Sequence, residues 1–362
     1  MGEQEQGGRI RGTGSRHEER PGRRVLAAVA WSTAALLVLG GAGLGFAYVK
    51  LDGNIESVDI STQLGDDRPQ NIDDGSMDIL VLGSDSRSGA NSAYGRDEGG
   101  ARSDTAMIVH VYEGRRTAGV VSIPRDTLIT RPECTDEDGA NVPAAYRAMF
   151  NTAYEVGGPA CAVKTVEQMS GIRMDHYIEV DFTGFKKLID ELGGVRITTT
   201  QAIKDDSSHL DLAAGAHTLD GEQALGLVRT RKGVGEGSDL GRIQLQQAFI
   251  KAFIDQVKRV GVFTSPAKLW GLADTATKAI TPDSELDGVK ELADFAGGLS
   301  ELGPDDVQMI TLPVVYDRVD PNRVVPVDLQ AQQVWTALRQ DLPIPASATK
   351  DTATGKAEGV VR

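Results

Sequence analysis

This chain of 362 residues contains few cysteines, and its histidines do not form the patterns that are typical of metal sites. Only two cysteines occur, Cys134 and Cys161, and their spacing matches no zinc-binding pattern. The five histidines show no metal-like spacing, and no serine lies in the Gly-x-Ser-x-Gly pattern of a nucleophile elbow. These absences argue against a histidine- or cysteine-bound metal site and against a serine hydrolase.

Positive charge is also in deficit, since the formal net charge at pH 7 is −14. A protein that neutralises a phosphate backbone needs a basic face, and this chain also has no recognisable DNA-binding motif. We therefore expect no nucleic-acid partner. An acidic protein with localised arginines fits a site for a metal and a small anion better than a site for a polyanion.

One stretch without any charged residue, Val25 to Val49, is long enough to cross a bilayer as a helix. Arginines precede it and acidic residues follow it, so the sequence predicts a single-pass anchor in the cell membrane. The N-terminus is then cytoplasmic and the rest of the chain extracytoplasmic. A cleaved signal peptide is the alternative, but its apolar stretch is normally shorter and ends in a small-x-small site.

The predicted extracytoplasmic location permits a disulfide between Cys134 and Cys161. The alternative that remains open is a pair of free thiols.

Three short clusters between Met77 and Asp126 combine a carboxylate with an arginine at the edge of an apolar, strand-like run. They are Gly83-Ser84-Asp85-Ser86-Arg87, Arg102-Ser103-Asp104-Thr105 and Ser122-Ile123-Pro124-Arg125-Asp126. Carboxylates bind hard cations, and guanidinium groups grip phosphate in a bidentate way. We expect a site for a phosphate- or pyrophosphate-bearing substrate with a divalent metal. Three solvated surface salt bridges are the simpler alternative.

A second group of charged residues lies further along the chain. Arg229-Thr230-Arg231 is followed by a glycine-rich loop and then by Asp239, Arg242 and Gln246 near the start of a predicted helix. Two arginines separated by one residue suit an anion with several oxygens, and a helix N-terminus also favours anions.

Strand-like and helix-like segments alternate along the chain, with one hairpin over residues 106–123. The sequence therefore predicts an α/β fold with a mixed central β-sheet flanked by helices. The expected organisation begins with a disordered cytoplasmic tail (1–24), a transmembrane helix (25–49) and a juxtamembrane linker (50–76). An extracytoplasmic catalytic domain (77–342) and a disordered C-terminal tail (343–362) follow. Residues 127–143 are expected to form an irregular loop.

The order of motifs over about Met77 to Val260 resembles the LytR-CpsA-Psr family. The motifs are the three clusters above, Asn151-Thr152-Ala153-Tyr154, Asp175-His176-Tyr177, Gly193-Gly194-Val195, Leu219-Asp220-Gly221, Arg229-Thr230-Arg231 and Arg242 through Gln247. The resemblance implies an extracytoplasmic transferase that moves a glycopolymer from a polyprenyl-pyrophosphate carrier onto peptidoglycan. It implies a phosphodiester product and assistance by Mg²⁺ or Mn²⁺.

Residue roles follow from the same resemblance. It implies that Asp85 and Asp104 hold the metal. The implied pyrophosphate contacts are Arg87, Arg102, Arg125, Arg229, Arg231, Arg242 and Gln246. The implied catalytic residues are Arg102, Arg125, Asp126, Arg229, Arg231 and Asp239, and either Asp126 or Asp239 positions an arginine or accepts the proton of the attacking hydroxyl.

Two other functions fit the same residues. A pyrophosphatase would use an identical site, with water in place of the sugar acceptor. A non-catalytic cell-envelope protein that binds or regulates an anionic polymer would need the arginines but no metal pair.

Overall fold

The centre of the fold is a six-stranded mixed sheet with the strand order β13-β8-β1-β2-β3-β14. The structure is a computed structural model that describes residues 45–72, 74–84, 103–136, 138–231, 234, 237–262, 265–353 and 359–362. The strands of this sheet are β1 (Met77–Ser84), β2 (Ser103–Val111), β3 (Ala118–Ile123), β8 (His176–Asp181), β13 (Ile280–Pro282) and β14 (Val307–Thr311). The mixed sheet predicted from the sequence is confirmed, because β1 pairs with β2 antiparallel and with β8 in parallel.

Five short pairs of strands and eight named helices surround this sheet in the part of the chain that is described. The remaining strands are β4 (Leu128–Arg131), β5 (Cys134–Thr135), β6 (Asn141–Val142), β7 (Ala145–Met149), β9 (Val195–Thr199), β10 (Ile203–Asp205), β11 (Leu210–Leu212), β12 (Gly215–Leu219), β15 (Val314–Tyr316) and β16 (Val324–Pro326). The helices are α1 (Ser61–Leu64), α2 (Asn151–Ser170), α3 (Phe182–Glu191), α4 (Gly221–Arg229), α5 (Asp239–Val260), α6 (Pro266–Ala279), α7 (Val289–Leu299) and α8 (Asp328–Arg339).

Alternate residues of β1 pack on opposite faces of the central sheet. Leu80 and Leu82 pack with residues of α2 and α8, including Trp335, on one face of the sheet. We call this cluster the main core. Ile79 belongs to the opposite face, where residues of α7 such as Phe295 cover it. Because successive side chains of a strand point to opposite faces, a strand that is buried on both sides reads as a continuous apolar run.

A second apolar core lies beside the sheet and is joined to it by α5. Leu245 and Phe249 of this helix pack with residues of α3, α4 and β9–β12. Ile250 and Ile254 of the same helix pack against the central sheet. Helix α5 therefore connects the second core to the central sheet. This packing sets the position of the N-terminus of α5 relative to the sheet.

The structure differs from the sequence prediction in three segments. Residues 127–143 contain β4, β5 and β6 instead of an irregular loop. Ile60 and Leu64, in the segment predicted to be a linker, are buried in the main core. In the segment predicted to be a disordered tail, Ile344 and Ala348 join the main core, and Val360 and Val361 join the second core.

These three segments share one physical feature, which is that each contributes very few apolar residues. Arg362 and Thr198 exchange two backbone hydrogen bonds of 2.7 and 2.9 Å, so the end of the chain pairs with β9. Such pairing depends on tertiary contacts rather than on local periodicity, and for that reason it left no pattern in the sequence.

The predicted anchor lies mainly outside the described residues, since only 45–49 of Val25–Val49 are described. Over the described ranges, no helix combines the length and hydropathy that a bilayer crossing requires.

The two cysteines form a disulfide with a Cα–Cα distance of 5.4 Å. It joins β5 to α2, in which Gly157 and Gly158 have non-helical backbone angles. Gly157-Gly158-Pro159 in the sequence predicts an interruption between two helical segments, and the kink within α2 confirms it.

Candidate functional site

The predicted acid–base clusters meet at one edge of the central sheet. Ser84, the last residue of β1, lies opposite Ser103 of β2 and Asp181 of β8. Ile123, the last residue of β3, lies opposite Ala106 of β2. The chain segments that begin at Asp85, end at Arg102 and begin at Pro124 therefore extend from neighbouring strand ends.

The backbone of Asp104 forms a bulge at this edge. Gly83 pairs with Thr105 and Ser84 pairs with Ser103, so that Asp104 is the additional residue of β2. Bulges of this kind redirect the chain and occur often beside active sites. The predicted site residues Asp85, Arg87 and Arg102 and the side chain of Asp104 lie outside the described residues.

Asp239 is in contact with three arginines. It is the first residue of α5, directly after the cap residue Ser238, whose hydroxyl accepts a hydrogen bond from the backbone N–H of Gly241. Its Oδ1 lies 2.5 Å from a terminal nitrogen of Arg242, 3.7 Å from one of Arg231 and 4.0 Å from Nε of Arg125. Its Oδ2 accepts the backbone N–H of Arg125 at 3.1 Å.

Asp126 lies between two arginines. Its Oδ2 is 3.7 Å from Nε of Arg125, and its Oδ1 is 3.6 Å from a terminal nitrogen of Arg323. The backbone also connects these segments, because Val324 N–H donates to the carbonyl oxygen of Asp126 at 3.4 Å. Arg323 therefore belongs to the same network as Arg125 and Asp239.

Arg323 was not among the residues predicted from the sequence. It lies in the turn Asp320-Pro321-Asn322-Arg323, beyond the segment that carries the family motifs. The bridge between Thr127 and Val324 and the contacts with Asp126 bring this turn to the end of β3.

Gln246 and Gln247 connect α5 to the same strand ends. The Gln246 amide donates hydrogen bonds of 2.9 Å to the Thr105 hydroxyl and to the carbonyl of Val228. The Gln247 amide donates to the Ser122 hydroxyl at 3.2 Å. Gln246 is buried and holds α5, β2 and α4 together, so its described contacts are with protein groups.

Arg229 and Arg231 have different described contacts, although one residue separates them. The Arg229 guanidinium lies over the ring of Phe182, with Cζ 4.8 Å from the ring centroid. Phe182 directly follows the end of β8, whereas Arg231 contacts Asp239 near the end of β3. Since β1 and β2 lie between β8 and β3, these two arginines flank the strand ends next to Asp85 and Arg102.

A cavity of about 600 Å³ opens beside this network. Its charged lining comprises three arginines and two aspartates, namely Arg125, Arg231, Arg323, Asp126 and Asp239. The volume falls within the range of about 300–1,000 Å³ that is typical of ligand pockets. Excess positive charge in a concave, partly buried region of an acidic protein favours an anionic ligand with several oxygens.

No group of three or more histidine, cysteine, aspartate or glutamate side chains converges as a metal site among the described residues. Asp126 and Asp239 are already surrounded by guanidinium groups. The carboxylates that the sequence assigned to the metal, Asp85 and Asp104, lie outside the described residues and side chains. Their role stays a prediction.

The fold and this site define an α/β protein with an arginine–aspartate network beside a cavity at the edge of a mixed sheet. The model of the LytR_cpsA_psr family matches residues 47–340. The chain therefore belongs to the LytR-CpsA-Psr family, as the order of its motifs indicated.

Two curated relatives support this assignment. The cell wall biosynthesis protein LcpA of Corynebacterium glutamicum is 33% identical over 309 residues, which are 77% of this chain and 58% of LcpA. The polyisoprenyl-teichoic acid–peptidoglycan teichoic acid transferase TagT of Bacillus subtilis is 34% identical over 254 residues, 67% of this chain and 73% of TagT. The match thus spans little more than half of LcpA.

Solved structures show the same fold. A structure of TagT bound to LI-WTA is similar with a TM-score of 0.56 and 28% identity, over 79% of this chain and 99% of that one.

Proposed function

We propose that this protein transfers a glycopolymer from a polyprenyl-pyrophosphate carrier onto peptidoglycan and forms a phosphodiester. The observation that carries the proposal is the network in which Asp239 and Asp126 hold Arg125, Arg231 and Arg323 at the cavity. The similarity to TagT, a polyisoprenyl-teichoic acid–peptidoglycan teichoic acid transferase, supports the same reaction class.

The arginines at the cavity provide the binding energy for the pyrophosphate. Arg125, Arg231 and Arg323 have side chains that are 23%, 31% and 31% exposed, so each can reach a ligand while it remains held by an aspartate. Arg242 is only 4% exposed, and its described role is to hold Asp239. Positive groups fixed in advance stabilise the charge that develops on the transferring phosphoryl group and on its leaving oxygens.

In the proposed reaction, a hydroxyl oxygen of the acceptor sugar attacks the phosphorus atom attached to the glycopolymer. The new P–O bond forms as the bond to the bridging oxygen breaks, and polyprenyl phosphate leaves. Asp126 is our choice for the group that accepts the hydroxyl proton. The Asp239 side chain is 10% exposed, its Oδ1 lies 2.5 Å from Arg242 and its Oδ2 accepts a backbone hydrogen bond from Arg125. Asp126 is 19% exposed, and its oxygens lie farther from arginine nitrogens, at 3.6 and 3.7 Å.

Asp85 and Asp104 are the carboxylates we propose for Mg²⁺ or Mn²⁺, because Asp126 and Asp239 are held by arginines. A divalent cation there would supply additional neutralisation of the pyrophosphate charge. The remaining steps depend on side chains of this chain.

We further propose an extracytoplasmic location with an N-terminal membrane anchor. The uncharged run Val25–Val49 supports an anchor. The disulfide between Cys134 and Cys161 supports an oxidising compartment outside the cytoplasm.

The test uses the purified full chain with a polyprenyl-pyrophosphate-linked oligosaccharide and a peptidoglycan fragment. Product is measured with Mg²⁺, with EDTA, and for Asp104→Ala and Arg231→Ala. Arg259→Ala is the matched control, because Arg259 forms an exposed pair with Asp255 at the other end of α5. We expect metal-dependent product that is lost in Asp104→Ala and Arg231→Ala and is retained in Arg259→Ala.

Two other results would replace this proposal. Release of polyprenyl phosphate without a linked product would identify a pyrophosphatase. Binding of the lipid-linked polymer without turnover, with or without metal, would identify a non-catalytic envelope protein.

A further inference from the structure

A second groove lies next to the arginine cavity and has a different character. It has a volume of about 420 Å³ and is formed by the strand pairs β4–β7 and β15–β16 with the start of α8. Its lining includes Tyr146, Arg147, Val315, Tyr316 and Asp317. We call it the tyrosine groove.

The tyrosine groove is continuous with the arginine cavity through a shared residue. Tyr316 lines both. The β16 strand, which forms part of the groove, begins at Val324, directly after the cavity residue Arg323. A chain-like ligand that lies in the groove would therefore extend toward the cavity that Asp126 lines.

Exposed apolar side chains are concentrated at this surface. Among the described residues, Tyr146 is 81% exposed, Tyr316 45% and Val315 39%, and Val319 and Leu329, close by in sequence, are 86% and 71% exposed. Clusters of this kind mark interaction sites more often than scattered exposed residues do. Tyrosine combines a large apolar ring with a hydroxyl that forms hydrogen bonds, and its side chain loses little entropy on binding.

One ion pair joins the two chain segments that carry the tyrosines. Arg147, which directly follows Tyr146, contacts Oδ1 of Asp317, which directly follows Tyr316, at 3.0 Å. Oδ2 of Asp317 also accepts the backbone N–H groups of Val319 and Asp320 at 3.1 and 2.9 Å. These backbone hydrogen bonds, and then Arg147, lower the pKa of Asp317 from its ordinary value, so the carboxylate stays charged.

Arg147 also has a left-handed backbone conformation with φ of 54°. A residue other than glycine rarely adopts such angles unless surrounding contacts require them, and such residues are frequent at ligand-binding sites. The pair Arg147–Asp317 therefore connects the backbone next to Tyr146 with the backbone next to Tyr316.

We infer that the tyrosine groove binds the glycan strand of the acceptor and delivers a sugar hydroxyl to Asp126. Sugar rings have apolar C–H faces that pack on aromatic rings, and their hydroxyls suit the charged groups of Arg147 and Asp317. This inference rests on the proposed function, because that function requires a carbohydrate acceptor beside the pyrophosphate cavity.

The test measures binding and transfer separately in the full chain. The probe is a soluble peptidoglycan glycan fragment without lipid, titrated by calorimetry, and transfer kinetics are measured against this acceptor and against the lipid-linked donor. The variants are Tyr146→Ala, which removes the ring, and Tyr146→Phe, which keeps it. Leu269→Ala is the control, because Leu269 is 43% exposed on α6 and lies outside the groove lining.

We expect Tyr146→Ala to weaken glycan binding and to raise the acceptor KM by about tenfold, which corresponds to about 1.4 kcal/mol. The donor KM and kcat stay unchanged, and both Tyr146→Phe and Leu269→Ala behave like the wild type.

The outcomes separate this inference from the proposed function. If the wild type binds the glycan through Tyr146 but transfers nothing, the groove is supported and the transferase proposal fails. If the wild type transfers and Tyr146→Ala has a normal acceptor KM, the groove assignment is overturned. It is also overturned if Tyr146→Ala loses binding to anionic phospholipid vesicles but keeps its glycan affinity.

Discussion

Asp239 and Arg125 lie 114 residues apart, and Oδ2 of Asp239 accepts the backbone N–H of Arg125 at 3.1 Å. This hydrogen bond joins the N-terminus of α5 to the segment after β3. Oδ1 of the same carboxylate contacts the guanidinium groups of Arg242, Arg231 and Arg125. Asp239 is thus the residue that couples the two halves of the predicted site.

Replacing Asp239 by alanine is expected to lower both stability and activity. The Asp239 and Arg242 side chains are 10% and 4% exposed, so the change leaves a buried arginine without its closest carboxylate. Breaking a buried pair typically costs about 3–5 kcal/mol.

Chemical unfolding measures the cost, with Asp255→Ala on the same helix as the control. Asp255 is 44% exposed, and its pair with Arg259 is expected to contribute about 1 kcal/mol or less. Equal effects of the two changes would contradict the coupling role.

Arg323→Ala is expected to lower kcat/KM for the lipid-linked donor by about a hundredfold, the size typical of losing one fixed donor to a developing charge. The reason is that Arg323 lines the cavity and contacts Asp126 at 3.6 Å. Arg323→Lys keeps the charge but loses the planar fork, so we expect only partial recovery. Steady-state transfer kinetics test this, and a kcat/KM equal to that of Arg259→Ala would remove Arg323 from the site.

His110 lies between two carboxylates at the end of the sheet away from the arginine cavity. Its Nδ1 is 2.9 Å from Asp78 and its Nε2 is 3.0 Å from Asp341. Burial acts to lower the pKa of His110, but the hydrogen bonds and charges of Asp78 and Asp341 outweigh it, and the net shift is upward from 6.5. The protonated ring can donate to both carboxylates.

A raised histidine pKa means that the folded state retains a proton that the unfolded chain releases. The stabilisation from His110 is therefore complete below pH about 6.5 and is lost as the pH rises through its raised pKa. His176 is expected to act in the same direction, because Asp283 raises its pKa against the effect of burial. Burial raises the pKa of Asp78 from its ordinary value of 3.8. The stability that the protonated Asp78 contributes is therefore also lost as the pH rises above 3.8.

The free energy of unfolding of the wild type should therefore decrease above pH 6.5, by up to about 1.4 kcal/mol per pH unit for each proton released. Urea titrations from pH 6 to 9 measure it. His110→Gln is expected to reduce this slope, His176→Gln to reduce it separately, and the double variant to flatten it. His217→Gln, a half-buried position on β12 whose ring lies 2.8 Å from the carbonyl oxygen of Ala213, is the control. If the free energy of unfolding of His110→Gln depends on pH as steeply as that of the wild type, the charged contact of His110 with Asp78 and Asp341 is refuted.

The disulfide is expected to contribute substantially to stability. Cys134 and Cys161 are 27 residues apart, and closing a loop of this size is worth about 3–4 kcal/mol in the chain-entropy model. A reductant should shift the urea midpoint of the wild type to lower concentration. The double variant Cys134→Ala, Cys161→Ala should start from the lower midpoint and not respond to reductant. A wild-type midpoint that is insensitive to full reduction would contradict this expectation.

The hairpin of β2 and β3, the mixed sheet and the break in α2 were predictable because each leaves a local pattern. Alternating or continuous apolar runs mark strands, and Gly157-Gly158-Pro159 marks an interruption of the helix. The short strands β5 and β6 have two residues each, which is too few for any period to be visible. The C-terminal residues were likewise missed, because their stability comes from pairing with β9.

The sequence alone determined which residues carry charge at strand ends, and the order of those motifs indicated the family. It also placed Arg242 and Gln246 near the start of a helix, and Asp239 just before that helix, since periodicity and helix-end signals are local. Tertiary structure decided which of these residues meet. The pairing of Thr127 with Val324 brings Arg323 to Asp126, and the packing of α5 on two cores sets Asp239 against Arg125. Contacts between distant segments depend on how apolar faces pack together, and no local pattern encodes that choice.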